Sequence, residues 1–304
     1  MAKISVVINT LNAEKTLLRA VSSVKEIADE IVVVDMCSTD ATKKVAEDLG
    51  AKVYLHKNIG YVEPARNFAI SKARYEWILI LDADEEIGKK LAKKIKKIIN
   101  KPTADYYRLP RKNIIFSKWI KYSQWWPDYN IRLFKKGSVS WSEDIHSIPL
   151  TAGNGVDIEA KEDLAIIHHN YSSVEQFLER MNRYTSIQAD LLIKQEYKFI
   201  WKDLITRPLK EFLGRYFSNE GYKDGLHGLA LCLLQAFSEV ILYLKIWQQE
   251  KFQPQAFTLE ETTKEFKNAG KEINWWITES FIRTNNFFKS LSFKIKRFFF
   301  KKNE

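Results

Sequence analysis

The sequence predicts an α/β protein, with a mostly parallel, Rossmann-like sheet in residues 1–170 and a helical region over 171–304. Three observations lead there. Apolar, β-branched runs alternate with amphipathic segments through the first hundred residues. Short connections join them, and right-handed crossovers turn such an alternation into a parallel sheet. The run Trp77-Ile78-Leu79-Ile80-Leu81 stops abruptly at Asp82, Asp84, Glu85 and Glu86, as a buried strand delivering carboxylates to its C-terminal edge would. From Ser172 onward the pattern changes to long segments with capping signals and helical spacing.

In chain order, Ile4–Asn9 reads as the first strand, and Asn12 offers an N-cap to a helix carrying Leu17, Leu18, Val21 and Val24. Glu30–Asp35 is a second buried strand ending in an acid. Ser38-Thr39-Asp40 opens a helix with Val45 and Leu49, and Gly50 stops it. Lys52–Leu55 is a short third strand, and Pro64–Ala73 a helix with proline in its first turn. The acid-ended run is the fourth strand. If its geometry persists, Asp82 and Asp84 face the same way, because side chains two apart share a face. Ligands bind at the carboxyl edge of open α/β sheets, where two such groups can share a hard divalent cation completed by a diphosphate. The competing reading makes these acids caps for the lysine-rich helix Gly88–Lys101, which turns Leu91, Ile95, Ile98 and Ile99 inward.

Composition narrows the function. The net charge of +10 points to an anionic partner, and 304 residues, 45% of them hydrophobic, suffice for one large core or two smaller ones. Cys37 and Cys232 alone support neither a disulfide framework nor a zinc site, and a reducing compartment is expected. The N-terminus enters a strand directly, without a signal peptide's apolar segment. No uninterrupted apolar stretch reaches about 18 residues, so a conventional spanning helix is not indicated. The first turn, Asn9-Thr10-Leu11-Asn12-Ala13-Glu14, lacks Gly-x-Gly-x-x-Gly, which excludes the usual dinucleotide site. An aspartyl phosphatase would place its Asp-x-Asp on the first strand, not the fourth. A nucleic-acid backbone would be repelled by the acidic strand ends, so no nucleic-acid partner is expected.

Val6-Val7-Ile8-Asn9-Thr10-Leu11-Asn12, Val33-Val34-Asp35 with Ser38-Thr39-Asp40, Ala65-Arg66-Asn67 and Asp82-Ala83-Asp84 stand in the order and approximate spacing of the family 2 inverting glycosyltransferases, which residues 3–100 resemble. The resemblance implies a GT-A-type fold binding a nucleotide-sugar donor, with residues 1–101 as the donor half and 102–170 as the acceptor half. It implies that Asp35 accepts a hydrogen bond from the base and that Arg66 sits beside base or phosphates. Asp82 would contact ribose or metal, and Asp84 would hold Mg²⁺ or Mn²⁺. Thr10, Asn12 and Ala83 are carried over as donor-binding positions. The chemistry agrees, since a departing sugar diphosphate needs positive charge at the leaving group.

After Pro102, Asp105–Leu109, Asn113–Phe116 and Asn130–Phe134 read as short strands, with Trp119, Trp125, Trp126 and Trp141 among them for core packing or sugar stacking. An inverting transfer needs a carboxylate base for the acceptor hydroxyl. Family 2 members carry an acid pair beyond the metal motif, and Glu143-Asp144 fits that placement, with Asp144 favoured over Glu143 and Asp128 as a rival. His146 is a candidate metal or phosphate contact. Trp126-Pro127-Asp128, Arg132-Leu133-Phe134, Trp141…His146, His168-His169 with Tyr171-Ser172, and Asn182-Arg183-Tyr184 resemble the subfamily containing lipopolysaccharide-core β-1,4-glucosyltransferases, as far as about residue 250. In that subfamily Glu follows the last His of the Trp…His stretch; here Ser147 does.

Ser172-Ser173 with Glu175-Gln176 offers overlapping capping boxes for a helix through Phe177, Met181 and Tyr184. Leu204–Phe217 is mixed basic and aromatic, and Gly228–Trp247 is strongly apolar: a core, re-entrant or interfacial helix. Trp275, Trp276, Phe281, Phe287, Phe288, Phe293 and Phe298–Phe300 interleave with lysines and Arg297, as a helix lying on an anionic bilayer requires. The alternative is a dimer-forming or core-docked helix, hence an expected homo-oligomer option. The reading is a metal-dependent inverting hexosyltransferase, with UDP-glucose as the first donor and a lipid-linked glycan acceptor, attached peripherally to the cytoplasmic face of the plasma membrane. Transfer to a polyprenyl phosphate and an inactive nucleotide-binding module are the alternatives.

Overall fold

The computed structural model describes residues 1–58, 62–141 and 149–284. The chain divides into two compact units, one of Met1–Ile115 with Trp126–Asn170, the other of Phe116–Trp125 with the chain from Tyr171 onward.

In the first unit, strands β1 (Ile4–Thr10), β2 (Glu30–Asp35), β3 (Lys52–Leu55) and β4 (Trp77–Asp82) alternate with helices α1 (Leu17–Val24), α2 (Thr42–Asp48) and α3 (Glu63–Lys72). They pair in parallel in the order β3-β2-β1-β4. β1, β2 and β4 are buried on both faces, which explains their continuous apolar sequences, whereas the edge strand β3 is partly exposed. Alternation sorts the side chains. Ile4, Val6, Ile8, Leu79 and Leu81 enter one core with Leu17, Val21, Leu91 and Ile95. Val7, Val34, Ile78 and Ile80 enter another with Ala65, Ala69 and Trp141. By the same period Asp82 falls on the face of Ile78 and Ile80, toward α3.

Three elements depart from the sequence expectations. Asn12 caps no helix: α1 begins after Thr16, and Asn12 adopts φ +50° while its side-chain oxygen accepts from the Thr39 backbone N–H at 2.8 Å. Asparagine tolerates that left-handed conformation and tethers the turn instead. Glu85 and Glu86 do not cap the lysine-rich helix either. Glu85–Ile87 forms a short strand, β5, and Gly88 precedes helix α4 (Lys89–Asn100). Finally, the two strands expected around Pro110 are one, β6 (Tyr106–Ile115), since proline removes a single ladder donor.

Strand β7 (Asp128–Lys135) pairs antiparallel with both β4 and β6, and β8 (Ile166–Tyr171) pairs antiparallel with β5. The sheet order is therefore β3-β2-β1-β4-β7-β6-β8-β5. In its parallel half β2 and β4 end in carboxylates, and its antiparallel half brings basic and amide side chains beside Asp82.

The second unit is helical: α5 (Val174–Lys194), α6 (Asp203–Leu213), α7 (Leu226–Gln249) and α8 (Leu259–Thr284). Ser173 accepts from the Gln176 N–H while the Gln176 side chain accepts from Ser172, a capping box shifted by one residue on its return arm. Ala189, Phe199, Leu242, Tyr243 and Ile246 form the core. Asp224 fastens the 116–125 segment by accepting from the backbone N–H groups of Lys121 and Tyr122.

Gly228 opens α7 so close to the preceding turn that a Cβ there would lie 1.9 Å from the Gly221 carbonyl oxygen. Backbone cannot yield as a side chain does. Gly228→Ala is expected to cost about 3 kcal/mol, the upper end for overpacking, read as a lowered urea midpoint; an unchanged midpoint would contradict the packing.

Candidate functional site

The site lies at the carboxyl edge of β1, β2 and β4, where the register sets Thr10 opposite Asp35 and Asn9 opposite Asp82. Thr10 and Asp35 are both buried, and Asp35 Oδ1 accepts from the Ser38 N–H at 3.1 Å and from its hydroxyl. Asp35 thus shapes the β2 turn, and Asn12 closes it from the β1 side through Ser38 and Thr39.

Strand geometry ends at Asp82, and Ala83-Asp84 turn before β5. The shared-face expectation for Asp82 and Asp84 rested on that geometry continuing, and here it does not. The two carboxylates take different partners. Asp82 Oδ1 accepts from Arg66 Nη2 at 2.9 Å, and Oδ2 from Arg132 Nη2 at 2.6 Å. With an arginine on each oxygen, Asp82 is placed as an anchor for Arg66 rather than as an open metal ligand. Ala83 packs its methyl group on the core, which leaves only its backbone to face a ligand. Asp84 lies beside His168, Oδ1 to Nε2 at 3.6 Å.

Around this turn runs a continuous polar network. Arg132, 1% exposed, also donates to Glu85 Oε1 at 2.6 Å, and Glu85 accepts from the Asp82 N–H and from Arg111. Arg111 continues to Asp128 Oδ2 at 2.7 Å. Burial alone would raise the Asp82 pKa, but the charges of Arg132 and Arg66 outweigh it and hold the carboxyl far below the usual range. Asp128 follows the same pattern: burial is overcome by Arg111, with hydrogen bonds from Asn113 and Asn130. A carboxylate so engaged is a poor proton acceptor, which counts against Asp128 as the rival base.

Arg66 stands on α3 with its guanidinium 5.6 Å from the centre of the Trp141 ring. The neighbouring Asn67 clamps the Trp141 backbone, donating to its carbonyl at 2.6 Å and accepting from its N–H at 2.9 Å. Asn67 therefore anchors the chain where the Ser142–Ile148 stretch begins. Glu143, Asp144 and His146 belong to that stretch and lie outside the described residues.

The sequence alone points to no individual role for Asn9, Asn113, Arg132 or His168. The available signal was charge inside strands otherwise apolar, which obliges partners. Among the described residues, both amide atoms of Asn9 and Nε and Nη1 of Arg132 have no hydrogen-bond partner.

Among the described residues no group of three or more His, Cys, Asp or Glu side chains is arranged to hold a metal. Asp84 with His168 fits a divalent ion whose remaining positions substrate phosphates and water would fill. The pair supplies one anionic oxygen and one ring nitrogen at the edge where the donor is expected.

Comparison with known proteins gives the following. The profile "Glycosyl transferase family 2" matches residues 5–150. An uncharacterized glycosyltransferase of Rickettsia typhi is 34% identical over 255 residues, 81% of this chain and 87% of that protein. The lipopolysaccharide core biosynthesis glycosyltransferase LpsC of Rhizobium meliloti is 23% identical over 81% of this chain and 92% of its own. The crystal structure of S. aureus TarS 1-349 in complex with UDP is 18% identical and covers 84% of this chain and 94% of that one, with a TM-score of 0.43.

Arg132→Leu would leave Glu85 and Asp82 without their shared cation and should cost about 3–5 kcal/mol of unfolding free energy, measured by urea denaturation at neutral pH. Because the folded pKa of Asp82 is depressed, the stabilisation is complete above its ordinary value of 3.8 and is lost as pH falls below it. The gap between wild type and variant should narrow over that range; a gap independent of pH would contradict the assignment.

Proposed function

This chain belongs to glycosyl transferase family 2 and is a glycosyltransferase, and from that premise we propose that it transfers a hexose, with inversion, from a nucleotide diphosphate sugar to a lipid-linked glycan. The observation carrying the proposal is the split of the strand-end acids, with Asp82 neutralised by two arginines and Asp84 directed to His168. In this reading Thr10, Asn12, Asp35 and the Ala83 backbone line the nucleoside. Arg66, fixed by Asp82 and Trp141, presents positive charge to base or phosphate. Asp84 and His168 would hold Mg²⁺ or Mn²⁺, which supplies charge stabilisation at the departing diphosphate. Asp144, with Glu143 beside it, takes the proton from the acceptor hydroxyl as the new bond forms, and His146 stands as a further contact to metal or phosphate. UDP-glucose is the first donor to test.

The lipid-linked acceptor draws support from the likeness to LpsC, a lipopolysaccharide core biosynthesis glycosyltransferase, and from exposed apolar surface in the helical unit. On α7, 24 residues long and strongly apolar, Leu226, Leu233 and Phe237 are exposed. On α8, Phe266, Ile273, Ile277 and Phe281 recur at helical spacing and are exposed as well. Apolar stripes of this kind beside lysines suit the interface of an anionic bilayer and monotopic attachment to the cytoplasmic face of the membrane. Packing against a second copy is the competing use of the same stripes.

With a panel of nucleotide sugars and Mn²⁺, wild type should release nucleoside diphosphate from one of them. Asp84→Ala should lower that rate by about 10²-fold or more, given the several kcal/mol a metal contributes; undiminished release would contradict the metal role. Asp144→Asn should keep UDP affinity while transfer falls by about 10²–10⁴-fold, and full activity would move the base to Glu143. The chain should sediment with phosphatidylglycerol vesicles and less with phosphatidylcholine ones; a stable dimer that ignores both would favour subunit packing.

A further inference from the structure

His168 is buried, and its ring is held by a chain of acceptors and donors whose directions are determined. The chain begins at Asp128. Its Oδ1 accepts from Asn130 Nδ2 at 3.0 Å, and its Oδ2 from Arg111 Nε at 2.9 Å and from Asn113 Nδ2 at 3.1 Å. An ionised carboxylate only accepts. Facing it, Asn113 must present its NH₂ group, which turns Oδ1 to the other side, 2.6 Å from His168 Nδ1. A carbonyl oxygen also only accepts, so the ring hydrogen belongs on Nδ1. In the neutral ring Nε2 then offers a lone pair. It lies 3.6 Å from Asp84 Oδ1, beyond hydrogen-bond distance.

The Nε2 lone pair thus faces the partly exposed Asp84 carboxylate in the turn that follows β4. We propose that Asn113 and Asp128 are positioning residues that hold His168 as the Nδ1–H tautomer, so that Nε2 and Asp84 together receive the divalent ion. The inference rests on the reading of Asp84 given above and adds to it how the imidazole is prepared before metal arrives. Arg111 belongs to the same device, since its charge keeps Asp128 ionised and therefore unable to donate. Partners of this kind orient ligating histidines in metal sites, and their loss typically weakens metal binding about 10–100-fold. Sequence positions 113, 128 and 168 are far apart, and the sheet order β7-β6-β8 is what brings them together.

The test uses the full chain labelled with ¹⁵N-histidine, free of metal. Long-range ¹H–¹⁵N correlation spectra report which ring nitrogen of His168 bears the hydrogen, the signal being assigned by its loss in His168→Gln. Wild type is expected to show Nδ1–H. Asn113→Leu, and the isosteric Asp128→Asn as a second variant that preserves packing, should shift His168 toward Nε2–H. In parallel, Mn²⁺ is titrated by electron paramagnetic resonance with UDP present, and both variants should bind it about 10–100-fold more weakly. An Nε2–H ring in wild type, or variants that keep both the tautomer and the Mn²⁺ affinity, would overturn the relay. A wild type that takes up no Mn²⁺ would overturn the reading of Asp84 instead. The tautomer is read without metal, which keeps the two failures distinct.

Discussion

A guanidinium buried between two carboxylates sets the geometry of the edge. Arg132 touches Asp82 and Glu85, the residues flanking the two-residue turn Ala83-Asp84, and the Asp82 N–H closes back on Glu85. One cation thus staples both ends of the turn. Burying such a charge is expensive, and replacing a buried ion pair by apolar groups is often neutral or stabilising. The stability of the fold therefore does not account for Arg132. Its evident effect is positional: with both flanks fixed, Asp84 has little freedom in where its carboxylate points.

Both halves of the sheet are needed for this. The parallel half supplies acids at its carboxyl edge because β4 alternates Ile78, Ile80 and Asp82 on one face, toward Arg66 of α3. The antiparallel half supplies what those acids meet: Arg132 from β7, Arg111 and Asn113 from β6, and His168 from β8. Arg66, Asp82, Arg132, Glu85, Arg111 and Asp128 form one alternating chain of charge, extended by Asn113 and His168 to Asp84. Each carboxylate spent on an arginine is withdrawn from metal binding or proton transfer. Asp84 is the acid of the Asp82–Asp84 pair left to face an imidazole.

Much of the parallel half was legible in the sequence, because two-sided burial writes itself as β-branched runs and α4 writes itself as Leu91, Ile95 and Ile98 at helical spacing. The acids of the fourth strand were legible for the same reason: charge directly after an apolar run has few places to go. What escaped was non-local. Glu85-Glu86-Ile87 is a strand only because β8 pairs with it, and in isolation three such residues read as a helix cap. Arg132 and Asn113 pass for ordinary strand residues until their partners, tens of residues away, are known. Asn12 misled through its double competence, since the side chain that caps helices also stabilises left-handed turns. The Asp82–Asp84 pair looks like one clamp in the sequence because period-two geometry extends to both, whereas the strand ends at Asp82.

The central claim is that Asp82 holds arginines while Asp84 and His168 hold the ion. A crystal structure of the chain with UDP and Mn²⁺ tests it directly. The account predicts Mn²⁺ bound by Asp84 and His168 Nε2 and by diphosphate oxygens, with Arg132 still on Asp82 and Glu85. Manganese bound through Asp82 with Arg132 displaced, or UDP lying away from the 82–84 turn, would contradict it.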